Sequence, residues 1–250
     1  MGLGLAAVSG GGAIRVAWGL MWGAGVSARG AWSWVLRWTR VALLAVSLAA
    51  LAQELVVITD AQIAKLAQSF GPVAKSRLTA WRDILTAPKY KQMSERQKMD
   101  LVNDFMNQTP FVSDIQHWGK TDYWATPIEF LSTNGGDCED FSIAKYFTLR
   151  TLGVADDKLR ITYVKELVQY NEAHMVLAYF PSADDEPMVL DNINKTILPA
   201  SRRTDLLPVY SFNGSGLWLA KEQAGRGQSV GSSDRIGHWK DLQTRLRGAS

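Results

Sequence analysis

Among 250 residues there is a single cysteine, set in Asn134-Gly135-Gly136-Asp137-Cys138-Glu139-Asp140-Phe141, after two glycines, between carboxylates and before an apolar helical pattern. A thiol reacts as its thiolate, which needs a partly exposed sulfur in a polar setting, and a helix N-terminus supplies one. Nucleophilic catalysis also needs a base within hydrogen-bond reach and a third group to orient that base. Three histidines compete for the base. His238 falls in a polar C-terminal stretch and is a poor candidate, and His117 sits in an aromatic loop. His174 stands near the start of a strand pattern, on the same face as Val176 and Ala178. Asp191 ends the next strand pattern, where an antiparallel hairpin would return it to His174. Each residue has a plainer reading: an inert cysteine, a satisfied core histidine, a turn-forming aspartate. Their joint order makes Cys138, His174 and Asp191 the candidate nucleophile, base and orienting acid.

The carboxylates beside the thiol need their own explanation. Asp137, Glu139 and Asp140 raise a thiol pKa by like-charge repulsion, opposing a protonated base and the helix N-terminus. One reading makes Asp137 the N-cap and places Glu139 and Asp140 at the positive end of the helix, each worth a few tenths to ~1 kcal/mol. The other makes the acids oxygen ligands of a hard cation such as calcium, which would offset the repulsion and fix the helix start. The spaced acids and terminal glutamate of an EF-hand are absent. The residues alone favour the cap.

Helices are expected first along the chain, to carry this segment. Ile63, Leu66, Ala67 and Phe70 recur at helical spacing from Thr59, and Gly71-Pro72 closes that pattern. A second helix over Val73 to Leu85 would turn Val73, Leu78, Trp81 and Leu85 inward. Ser94-Glu95-Arg96-Gln97 is a capping box, opening a helix that buries Met99, Val102, Phe105 and Met106. Phe111 to Thr133 reads as an aromatic, turn-rich connection fit to line a cleft. Beyond Cys138 a buried helix should run to Leu152, with Gly153 as its C-cap. Strand patterns follow over 159–165, 173–180, 187–191, 208–212 and 216–219, with Tyr170-Asn171-Glu172 as a turn. Helices followed by antiparallel strands make an α+β fold.

A hydrophobic content of 47% allows an ample core. The formal charge of +3 is misleading, because the first 52 residues hold four arginines and no acid, leaving 23 basic against 24 acidic residues elsewhere. The remainder has no overall charge that favours nucleic acid. The leader itself reads as an export signal: Arg37-Trp38-Thr39-Arg40, then an apolar run from Val41 to Leu51, then Ala50-Leu51-Ala52 as a cleavage pattern before Gln53. That run is too short for a spanning helix, which needs roughly 20 residues; an uncleaved anchor is the alternative, and Met21 could equally be the initiator. The expected division is a leader over 1–52, a catalytic domain over 53–220, and a disordered tail over 221–250 with at most a short helix around Trp239. In an oxidising compartment a lone cysteine is a free thiol with a task or a buried bystander.

Asp122-x-Trp124-x-x-Pro127-x-Glu129, followed by Gly136-Asp137-Cys138-Glu139-Asp140, resembles the bacterial transglutaminase-like cysteine proteases, in particular the LapG-type periplasmic proteases that release biofilm adhesins. Glu172-Ala173-His174-Met175-Val176-Leu177 and Leu190-Asp191-Asn192 match that family's histidine and aspartate segments in order. The resemblance runs from about Asp60 to Phe212 and leaves out the leader and the glycine-rich tail. It implies a papain/transglutaminase-like core, N-terminal helices with the cysteine at a helix N-terminus packed on an antiparallel sheet. It implies a triad of Cys138, His174 and Asp191, and calcium held by Asp137 and Glu139, with Asp140 as a possible third ligand. It further implies cleavage of a large repeat adhesin near its N-terminus at a di-alanine site, and sequestration by an inner-membrane cyclic di-GMP receptor. The Cys138 N–H would serve as an oxyanion donor, with a second from the Tyr123–Trp124 region. Two other uses of the residues remain open: amide transfer of the transglutaminase type, and a non-catalytic, calcium-regulated binding module with an inert Cys138.

Overall fold

Thr59 opens the first helix, α1 (Asp60–Thr86), through a capping box with Gln62. In the computed structural model, which describes residues 56–169, 171–182, 185–219 and 227–248, α1 is broken where the sequence predicts. Gly71 takes φ 83°, a left-handed conformation that suits glycine, and Pro72 follows inside the helix. The second half buries Ala74, Leu78, Trp81, Ile84 and Leu85. Val73, expected inward, is exposed: the kink rotates the new helix so that Ala74 takes the core position instead. A short α2 (Pro88–Lys91) leads to α3 (Glu95–Met106), which opens on the expected Ser94–Gln97 capping box and buries Met99, Val102 and Met106.

The stretch 111–133 is more regular than its aromatic composition suggests. It contains α4 (Asp114–His117) and α5 (Pro127–Thr133), the latter opened by a Thr126–Glu129 capping box with proline in the first turn. Asn134 then turns left-handed at φ 59° and releases the chain toward the cysteine. The central helix α6 (Cys138–Thr151) buries every residue from Asp140 to Leu149, and Gly153, at φ 90°, follows its C-cap. A helix buried all round sits inside the core; α6 packs on α3 and α5 on one side and on the sheet on the other.

That sheet has seven antiparallel strands in the order β4-β3-β2-β1-β5-β6-β7: β1 (Leu159–Glu166), β2 (Ala173–Tyr179), β3 (Met188–Leu190), β4 (Leu198–Pro199), β5 (Leu206–Phe212), β6 (Leu217–Leu219) and β7 (Gln228–Gly231). The register pairs His174 with Val164 on β1 and Leu177 with Leu190 on β3, so Asp191 emerges at the end of β2 that carries His174. The fold is α+β, as the residue order predicts.

The tail is a correction. Residues 227–248 form β7 and a C-terminal helix, α7 (Gly237–Gly248), with Trp239 and Leu242 buried. Trp239 packs among Tyr146, Phe147 and Phe212. Two large apolar side chains at helical spacing dock an otherwise polar segment. Residues 221–226 and the expected leader over 1–52 lie outside the described residues. Among those described, no helix is long and apolar enough to cross a membrane.

Candidate active site

Cys138 is the first residue of α6, with Asp137 as N-cap in extended conformation. Its N–H therefore has no intrahelical acceptor. The thiol is half-buried, donates to Glu139 Oε2 at 3.1 Å, and lies beside the backbone N–H of Met175, the residue after His174. Burial pushes the thiol pKa well up, the Glu139 charge and hydrogen bond and the Asp137 charge push the same way, and the Met175 N–H opposes them.

His174 is buried on β2, and its Nε2 meets Asp191 Oδ1 at 2.8 Å. Asp191 Oδ1 also accepts from the Ile193 N–H at 3.0 Å, while Oδ2 accepts from Arg203 Nη2 at 2.7 Å. Burial pushes the Asp191 carboxyl up, but His174, the Ile193 N–H and Arg203 together hold it far below the usual carboxylate range. Arg203 is buried as well and binds Asp205 through Nε and Nη2. The Asp191 carbonyl is fixed from the end of α3, where the C-cap Asn107 donates to it through Nδ2 at 2.9 Å, and Asn103 Nδ2 within the helix donates to the Lys195 carbonyl at 2.8 Å. With Nε2 committed to Asp191, Nδ1 is the ring nitrogen of His174 left for proton transfer.

The other histidines go elsewhere. His117 Nε2 lies 2.8 Å from Thr133 Oγ1. His238 stacks on Trp124 with ring centroids 5.6 Å apart and meets Asp122 Oδ2 at 3.3 Å.

The acids around Cys138 do more than cap. Asp140 does reach back to the Asp137 N–H, at 3.4 Å, and its other oxygen accepts from the Ala125 N–H at 2.7 Å. Yet Asp114, Asp137 and Asp140 each bring one oxygen within 4.8 Å of the others, and Asp114, Asp122 and Glu139 do the same. Asp114 Oδ1 and Asp137 Oδ1 are buried without a hydrogen-bond partner among the described residues. Burial, with Glu139 adding repulsion, pushes Asp137 up to about 9, and burial pushes Glu139 up to about 7. Burial and Asp137 raise Asp140, and Asp114 is also raised, chiefly by burial. A cap alone does not explain crowded, orphaned carboxylates; an all-oxygen donor set at this spacing suits a hard divalent cation. Asp137 and Glu139, the expected ligands, are both in the cluster. Asp114 and Asp122 were not legible as members, because no periodicity links positions so far upstream of Cys138 to it.

A sequence profile described as bacterial transglutaminase-like cysteine proteinase (BTLCP) matches residues 82–218, more than half of the chain. The chain belongs to the bacterial transglutaminase-like cysteine proteinase family. Solved structures of Legionella pneumophila LapG agree. At 43% identity, and covering 76% of this chain and 99% of theirs, the EGTA-treated form superposes with a TM-score of 0.66 and the calcium-bound form with 0.64. A comparison with curated proteins gives no match. The shared fold is the transglutaminase-like protease fold, and this BTLCP chain is a cysteine protease by family.

Proposed function

We propose that this chain is a calcium-dependent cysteine endopeptidase of the periplasm, with Cys138 as nucleophile, His174 as base and Asp191 as the acid that orients it. The observation that carries the triad is the Cys138 sulfur beside Met175, next to a histidine whose far nitrogen is locked on a buried aspartate. His174 Nδ1 takes the thiol proton as Cys138 attacks the scissile carbonyl, then gives it to the departing amine. Asp191 selects the tautomer and stabilises the imidazolium. The Cys138 N–H faces the developing oxyanion. Of the second donor region, Tyr123 has its N–H engaged by Asp114, which leaves the Trp124 N–H for this role.

Calcium fits the acidic cluster, with Asp114, Asp137, Asp140, Asp122 and Glu139 available as ligands. When bound it would keep these carboxylates ionised and cancel the negative field that disfavours the thiolate. The 43% identity to LapG, known in a calcium-bound form, supports this reading. The same kinship supports the substrate, a large repeat adhesin cut near its N-terminus at a di-alanine site, and control by an inner-membrane cyclic di-GMP receptor that sequesters the protease. Incubation with an adhesin N-terminal fragment, followed by N-terminal sequencing of the products, tests the substrate. A single cut between the paired alanines, lost in excess chelator and restored by calcium, is expected. Full cleavage in chelator would remove the metal from the proposal, and no cut at the paired alanines would remove the substrate.

A further inference from the structure

The C-terminal helix reaches the acidic cluster in two ways: His238 meets Asp122 directly, and Arg245 acts on it through the backbone that carries its donors. Arg245 Nη2 donates to the Trp124 carbonyl at 2.5 Å, and Nη1 pairs with Glu129 Oε2 at 2.5 Å. The guanidinium lies over the Tyr123 ring, 4.7 Å from its centre, and Nε is held by Asp241, one turn back, at 2.9 Å. The other end of the same peptide unit, the Ala125 N–H, donates to Asp140 Oδ1 at 2.7 Å. Two residues earlier, the Tyr123 N–H donates to Asp114 Oδ2. The Trp124–Ala125 peptide is thus clamped between an arginine of α7 and a carboxylate two residues beyond Cys138. Because Trp239 is fully buried against α6 and β5, Arg245 comes from an anchored element.

We propose that Arg245 is a positioning residue for the cation site: by fixing the 123–125 backbone, it orients the N–H groups that set the Asp114 and Asp140 carboxylates. The inference rests on reading the cluster as a cation seat. Without the guanidinium, the Trp124 carbonyl loses its donor and Glu129 keeps only the Tyr123 hydroxyl and the Thr126 N–H, the peptide gains rotational freedom, and two buried carboxylates lose fixed donors.

The full chain tests this with Arg245→Gln, with Arg245→Lys as the conservative variant, and with Asp241→Asn as a milder release that leaves the arginine present. Amide hydrogen exchange without metal and terbium luminescence titration are the readouts. In Arg245→Gln the Tyr123 and Ala125 amides should exchange about tenfold faster and terbium half-saturation should rise about tenfold, the scale of one hydrogen bond to a charged group. Strand amides of β1 and β2 should be unchanged. Lysine should restore part of both effects, and Asp241→Asn should show a smaller shift in the same direction. Wild-type exchange at Tyr123 and Ala125 with unchanged terbium affinity in Arg245→Gln would overturn the inference while leaving the cation seat intact. A wild-type chain that takes up no terbium would overturn the cation seat and this inference with it. Normal terbium binding without peptide cleavage would remove only the protease reading.

Discussion

At Asp191 the two carboxylate oxygens face different partners, His174 on one side and Arg203 on the other. Replacing Arg203 by glutamine leaves that buried carboxylate half-compensated, and urea unfolding should show a loss of about 3 kcal/mol, the scale of a broken buried pair. Because the folded pKa of Asp191 is depressed, its contribution is full above the unfolded value and is lost as pH falls toward the folded one. Asp191→Asn should therefore flatten the acid limb of stability against pH. At Cys138 burial and the neighbouring acids disfavour the thiolate, so iodoacetamide should label the chelated protein more slowly than an ordinary free cysteine, and calcium should speed the labelling. The three candidate triad residues were legible because each stands on a local pattern: a helix start, a strand face, a strand end. Arg203, Asn107 and Asp114 were not, since each acts across a long sequence separation that only the folded chain closes.

Elements explain why the segment before the cysteine must be small. A Cβ on Gly136 would lie 2.5 Å from Asp140 Oδ2 and 2.7 Å from Phe130 Cδ2. Gly136→Ala should cost about 1–3 kcal/mol in thermal or urea unfolding and weaken calcium binding by displacing Asp140. The central helix also carries Lys145, 1% exposed and pushed down to about 7 by burial. Between pH 7 and its unfolded pKa of roughly 10.4, the unfolded chain holds a proton that the folded chain lacks, so the contribution of Lys145 to stability rises with pH across that window. Lys145→Met should remove that contribution, so the Tm of the wild type measured against the variant should rise with pH over the window. The Ser94–Gln97 capping box announced α3, and the apolar spacing from Thr59 with the Gly71-Pro72 break announced α1, because these signals are local. Of α7 only a short helix around Trp239 was legible, since Trp239 and Leu242 are its buried residues, and the polar strand β7 carried no apolar alternation to read.

Across the whole molecule, a calcium seat at the acidic cluster would link metal, protons and stability. The unfolded carboxylates lose their protons near pH 4, whereas Asp137 and Glu139 in the folded chain hold theirs to about 9 and about 7. Metal-free protein should accordingly lose stability as pH rises from about 4 through those values. Calcium should displace the protons, so its affinity should increase with pH, and at a hundredfold excess over its Kd it should stabilise the fold by about 2.7 kcal/mol. Calorimetric scans in chelator and in calcium at several pH values check both signs. The α+β order and the oxygen-rich nucleophile segment were visible in the residues, but the extent of the cluster was not, because loop, central helix and C-terminal helix converge only in three dimensions. The most direct measurement is the initial rate of adhesin-fragment cleavage in calcium by the wild-type chain and by Cys138→Ala. Cleavage by the wild type and none by the alanine variant is predicted; equal rates would contradict a nucleophilic Cys138.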